Sequence, residues 1–237
     1  MSKGLAYFKE VYDEVPGWVQ KMNDYNSRVL DHYTAIRSEI MQDGVLSRKE
    51  KDVLIAVMNA GRNYERSLLY HTKGAVDFGC TMEELVELFL VAYAYAGESA
   101  LEKSAIALQY ALSLKGKSFS IPEGRLSESD YLDLFQNWLE QPSPFVEEVK
   151  SAIAANKEKM ESILLADGVV SSKLKHLAMV GNYTTELDGR GAAPWLEQAR
   201  RAGATEEELA EVGYICILTA GIPSWFELSD SLKEKSE

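Results

Sequence analysis

Cysteine is almost missing from this 237-residue chain: Cys80 and Cys216 stand far apart and outside any Cys-x-x-Cys pair. Two such thiols are expected to be buried and inert, as in a reducing compartment. No apolar run approaches the roughly 18 residues that a membrane helix needs, so no membrane partner is expected. Positive charge is in short supply, with 25 Lys and Arg against 37 Asp and Glu and a net charge of −12. A surface that acidic repels phosphate backbones and argues against nucleic acid as a partner. No His, Cys, Asp or Glu spacing suggests a metal, and there is neither a phosphate-binding glycine loop nor a nucleophile elbow. No metal or cofactor is therefore expected. The opening Met1-Ser2-Lys3-Gly4 does not read as a signal peptide, and a cytoplasmic location is the expectation.

What the chain does have is itself, twice. The segment from Gly44 to Gly97 recurs from Gly168 to Gly221 at a constant offset of 124, without a gap, with 15 identities in 54 positions. Shared residues include Ser47/Ser171, Lys49/Lys173, Lys51/Lys175, Arg66/Arg190, Gly79/Gly203, Thr81/Thr205 and Glu87/Glu211. Such self-similarity is the mark of two copies of one supersecondary unit packed together. Agreement between the copies points to the fold. Disagreement at a chemically loaded position points to a function that one copy has lost.

The apolar spacing is helical throughout, and no strand alternation is convincing. A helical pattern over Lys9 to Asp43 is broken at Pro16-Gly17. Helices are expected near 48–60, 63–78, 81–95 and 99–114, then at 131–140, 145–166, 171–186, 192–202, 205–220 and 225–233. Ser47 with Glu50 and Thr81 with Glu84 have capping-box spacing. The expected organisation is a first repeat over 1–114, a linker over 115–130 and a second, degenerate repeat over 131–237. The fold class is all-α, with two tandem helical-bundle repeats related by a pseudo-twofold axis.

The most polar helix of the first copy carries the chemistry. Tyr64, Ser67 and His71 fall at i, i+3 and i+7 and share a face. Asp52 lies inside the apolar helix that precedes them, where a carboxylate needs a partner; His71, the Tyr64 hydroxyl or Arg66 could supply it. Arg66 has a counterpart in Arg190, which suggests a structural ion pair with Asp52, Glu65 or Glu186. Arg62 is replaced by Glu186, which makes it the stronger ligand-binding candidate. His176 could approach the first copy's site across the dyad.

The runs Leu46-Ser47-Arg48-Lys49-Glu50-Lys51-Asp52 and Ala60-Gly61-Arg62-Asn63, then His71, Gly79-Cys80-Thr81-Met82-Glu83-Glu84-Leu85 and Ala94-Tyr95-Ala96-Gly97, resemble the carboxymuconolactone decarboxylase family, which includes the alkylhydroperoxidase D-like proteins. The resemblance covers 44 to about 110 and, more weakly, 168 to 230. It implies an alkylhydroperoxidase D-like all-α fold and a symmetric homo-oligomer, with a trimer favoured for a tandem chain. It also marks what is missing. The peroxidase branch carries Cys-x-x-Cys-x-x-x-His, and here Tyr64 and Ser67 occupy the cysteine positions, so the disulfide of that cycle cannot form. The family's upstream glutamate maps onto Asp52. In the second copy Asp188, Gly191 and Trp195 replace Tyr64, Ser67 and His71, and His176 replaces Asp52.

The decarboxylase branch keeps the histidine and acts on a small carboxylated lactone. By that resemblance, His71, Tyr64 and Asp52 are the expected catalytic residues, with Arg62, Arg66 and Ser67 binding the substrate. The chemistry would be proton transfer in a decarboxylation or isomerisation. The alternative is a small-molecule-binding or scaffold protein that kept the fold without the chemistry.

Overall fold

The computed structural model describes residues 2–153 and 157–234. The chain forms two compact units, Met1–Gly44 and Val45–Glu237. No strand occurs among the described residues, and no helix there is long and apolar enough to cross a membrane.

The first unit is a helical hairpin of α1 (Lys3–Tyr12) and α2 (Gly17–Ile40). Pro16 stands at the break, as its missing amide proton and fixed φ require. Phe8 is fully buried and packs with Tyr12, Trp18 and Tyr33. The Arg37 guanidinium donates to the Tyr12 hydroxyl at 2.7 Å. Asn26 interrupts α2 with extended dihedrals, and its side chain caps the resumed helix by accepting from the amides of Arg28 and Val29.

The second unit runs α3 (Arg48–Gly61), α4 (Glu65–Asp77), α5 (Met82–Ala96), α6 (Glu98–Leu114), α7 (Glu128–Trp138), α8 (Pro144–Ile153), α9 (Lys157–Leu164), α10 (Ser172–Thr185), α11 (Gly189–Arg201), α12 (Glu206–Ala220) and α13 (Ile222–Ser229). Adding 124 to both ends of α3, α4 and α5 gives both ends of α10, α11 and α12. The capping boxes at Ser47/Glu50 and Thr81/Glu84 form as the spacing requires, and the second recurs at Thr205/Glu208. Even the unusual corner recurs. Asn63 and Leu187 are both left-handed, at φ 56° and 60°. Asparagine tolerates that conformation, whereas leucine pays for it in strain.

Some boundaries differ from expectation. The linker is shorter than 115–130 because Ser127 and Asp130 make a capping box that starts α7 at Glu128. The last helix starts at Ile222, not Trp225, with Pro223 in its first turn, where proline is favoured. The helix expected over 145–166 is helical at 144–153 and 157–164; positions 154–156 lie outside the described residues.

Helices α3 and α10 form the centre, packed on each other and on both copies' third helices. A Cβ at Gly181 would overlap Met58, and one at Gly61 would sit 2.5 Å from Asn182 Oδ1, so small residues let these helices approach closely. The pseudo-twofold axis is written in ion pairs. Lys51 of α3 meets Glu211 of α12 at 3.1 Å, and Lys175 of α10 meets Glu87 of α5 at 2.8 Å. Glu211 also accepts from the amides of Val45 and Leu46, and Glu87 from those of Val169 and Val170, the positions 124 residues later. The shared lysines and glutamates thus bind each copy to the other.

Candidate functional site

Helices α3 and α4 of the first copy lie side by side, joined by the turn through Arg62, Asn63 and Tyr64. From α3 come Arg48 and Asp52, one turn apart; from α4 comes His71. His71 Nδ1 lies 2.7 Å from Asp52 Oδ1, and Arg48 Nε donates to Asp52 Oδ2 at 2.6 Å. Asp52 is 1% exposed and His71 5%. Burial alone would raise the Asp52 carboxyl, but the His71 hydrogen bond and the charges of His71 and Arg48 outweigh it and hold the group below its ordinary value. The guanidinium carbon of Arg48 sits 4.8 Å from the centre of the Phe78 ring, within cation–π range. A Cβ at Gly74, one turn beyond His71, would stand 2.6 Å from the Asp52 carboxyl carbon. Glycine there makes room for the carboxylate.

The structure therefore joins two of the expected site residues, Asp52 and His71, and adds Arg48. The signal for Arg48 was present, since an arginine four residues before an aspartate shares its helix face. The other four are placed differently. Tyr64 is not within the helix but caps it, at φ −100° and ψ 80°, and is half exposed. It shares no regular helical face with Ser67 and His71. Ser67 Oγ accepts from Asn59 Nδ2 at 3.1 Å. Arg62 is bonded to the second copy, through Glu186 at 2.9 Å and the Thr219 carbonyl at 3.0 Å. Arg66 is exposed, and the ion pair expected for it does not form: Asp52, Glu65 and Glu186 are taken by Arg48, Lys103 and Arg62.

In the second copy the constellation is dismantled. His176 occupies the Asp52 position and donates from Nδ1 to the Ser172 carbonyl at 2.7 Å, within its own helix. Its ring lies 6.1 Å from that of Trp195, which stands where His71 does. Both cysteines are buried and unpaired. Burial pushes the Cys80 thiol up to about 12 and raises Cys216 as well, so neither is poised as a thiolate nucleophile.

With this geometry in view, similarity to known proteins becomes informative. The sequence model of the carboxymuconolactone decarboxylase family matches residues 27–110. No curated protein matches the sequence. The fold is similar to the crystal structure of a proposed gamma-carboxymuconolactone decarboxylase subunit from Burkholderia xenovorans LB400, with a TM-score of 0.60 and 19% identity over 96% of this chain and 94% of that one. The segment 27–110, which matches that family's model, carries the Asp52–His71 pair. The chain shares one fold with that subunit over nearly its whole length, and it lacks the cysteine pair of the peroxidase branch.

Proposed function

We propose that the first copy houses an acid–base centre acting on a small carboxylated lactone-type metabolite, by decarboxylation or isomerisation. The supporting observation is the buried Asp52 carboxylate bonded to both His71 and Arg48. With Nδ1–H given to Asp52, Nε2 is the proton-exchanging atom of His71: an N–H donor in the imidazolium, and a lone-pair acceptor once that proton has left. Asp52 stabilises the imidazolium as it forms, and Arg48 keeps Asp52 ionised. In a decarboxylation the bond to the carboxylate carbon breaks and carbon dioxide leaves. The electron pair is delocalised into the conjugated lactone carbonyl. Nε2–H then protonates the resulting dienolate at carbon, and the ring recovers its proton from water. Arg66, exposed in the first turn of α4, is the arginine available to a substrate carboxylate, since Arg62 is committed to Glu186. The family match over 27–110 supports this reading at the level of the family. Assembly into a homo-oligomer belongs to the same proposal.

The test is carbon dioxide release from carboxymuconolactone in deuterium oxide. The wild type is expected to release it and to place one solvent deuteron on product carbon. His71→Gln should lower turnover by about a hundredfold or more, the usual worth of a positioned proton donor. Undiminished turnover in His71→Gln would sink the proposal.

A further inference from the structure

The second copy has turned the equivalent place into an open cleft of about 560 Å³. Ser172, His176, Trp195 and Gln198 in its wall occupy the positions of Arg48, Asp52, His71 and Gly74. In the first copy those groups satisfy one another. In the second, Ser172 replaces the arginine and His176 replaces the carboxylate, and His176 turns back to its own helix. The space left is within the range of small-molecule sites.

Its chemistry is readable from the wall. Glu161 contributes a carboxylate, and among the described residues the wall contains no lysine or arginine. Trp195 offers an indole, supported by Tyr183, whose ring lies near-parallel to it at 22° with centroids 6.3 Å apart. With Nδ1–H committed to the Ser172 carbonyl, Nε2 is the ring nitrogen left to accept from a ligand. The helix start beside it is not offered to an anion, because the Ser172 amide already donates to Asp167 at 2.7 Å. Leu165 adds apolar wall. A carboxylate, an aromatic face and a ring acceptor together suit a cation.

We propose that this cleft is a second ligand site, which takes a small organic cation with a flat apolar body: the cationic N–H groups on Glu161 and His176, the body against Trp195. The second copy then binds while the first reacts.

Isothermal titration with benzamidinium chloride tests this, with neutral benzamide as the isosteric control. Saturable benzamidinium binding is expected, at least tenfold tighter than benzamide. Glu161→Gln and Trp195→Ala should each weaken it at least tenfold, while His71→Gln leaves it unchanged. Failure to bind benzamidinium, equal binding of benzamide, or an unaltered affinity in Glu161→Gln would each overturn the assignment. Loss of binding in His71→Gln would move the probe to the first copy and overturn it too. Because the readout is binding and not turnover, it stands apart from the reaction proposed for His71.

Discussion

Arg62 and Glu186 hold the same position in the two copies and are bonded to each other, Nε to Oε1, at 2.9 Å. A pseudo-twofold axis brings equivalent positions together near itself, and identical charges there would repel. Divergence at this one position turns repulsion into a bond. Both side chains keep solvent contact, so the pair is worth little, about 0.5–1 kcal/mol. Arg62→Glu should cost more, about 1–2 kcal/mol, by adding like charge and losing the Thr219 carbonyl contact. The double exchange Arg62→Glu with Glu186→Arg should recover part of that, as read by urea denaturation of the four proteins of the cycle.

Asp52 predicts a pH signature. Its carboxyl is depressed in the folded protein, so its contribution is complete above the unfolded value of about 3.9 and disappears as pH falls through the lower folded value. Asp52→Asn should be less stable than the wild type at neutral pH by about 3 kcal/mol, since it strips a buried partner from His71 and Arg48. That gap should close as pH is lowered from 5 towards about 2. A gap independent of pH would mean that the carboxylate is not held by charge.

Gly74 sets the space in which Asp52 sits. Gly74→Ala places a methyl 2.6 Å from the carboxyl carbon. Overpacking of this kind typically costs about 1–3 kcal/mol, more than the gain from a better helix former. The expected outcome is a lower melting temperature and a displaced His71 imidazole resonance in the NMR spectrum.

The two reciprocal lysine–glutamate pairs differ in burial, and their deletions should differ accordingly. Lys175 is wholly buried on Glu87, and burial pulls its ammonium below its ordinary value. Glu87→Ala removes the counter-ion of that charge, leaving it the Ala166 carbonyl at 2.8 Å, and should cost about 3–5 kcal/mol. Glu211, partnered by Lys51, is the more exposed glutamate, at 18% against 5%. Glu211→Ala should cost less, and thermal denaturation of the two variants side by side gives the order.

The architecture was largely legible in the sequence because the repeat supplied its own alignment: caps, corner glycines and shared charges fall at one offset. The pairing of Asp52 with His71 was one of three partners that the sequence left open, and the structure selects it. Arg48 stands one turn before Asp52 on the same helix face, but four-residue spacing alone does not tell a buried ion pair from a solvated one. Tyr64 was placed within the helix because periodicity does not register a backbone that enters the helix only at Glu65. The partner of Arg62 was invisible for another reason: Glu186 lies 124 residues away, and only the dyad brings the two together. The cleft around Trp195 was unreadable for the same reason, since an empty space follows from what neighbouring side chains fail to fill.

Carbon dioxide release from carboxymuconolactone by His71→Gln and His176→Gln, measured side by side, bears most directly on a division of labour between the copies. A loss of about a hundredfold or more in His71→Gln, with turnover in His176→Gln within about twofold of the wild type, is the expected result. Equal losses in both variants, or a loss confined to His176→Gln, would contradict it.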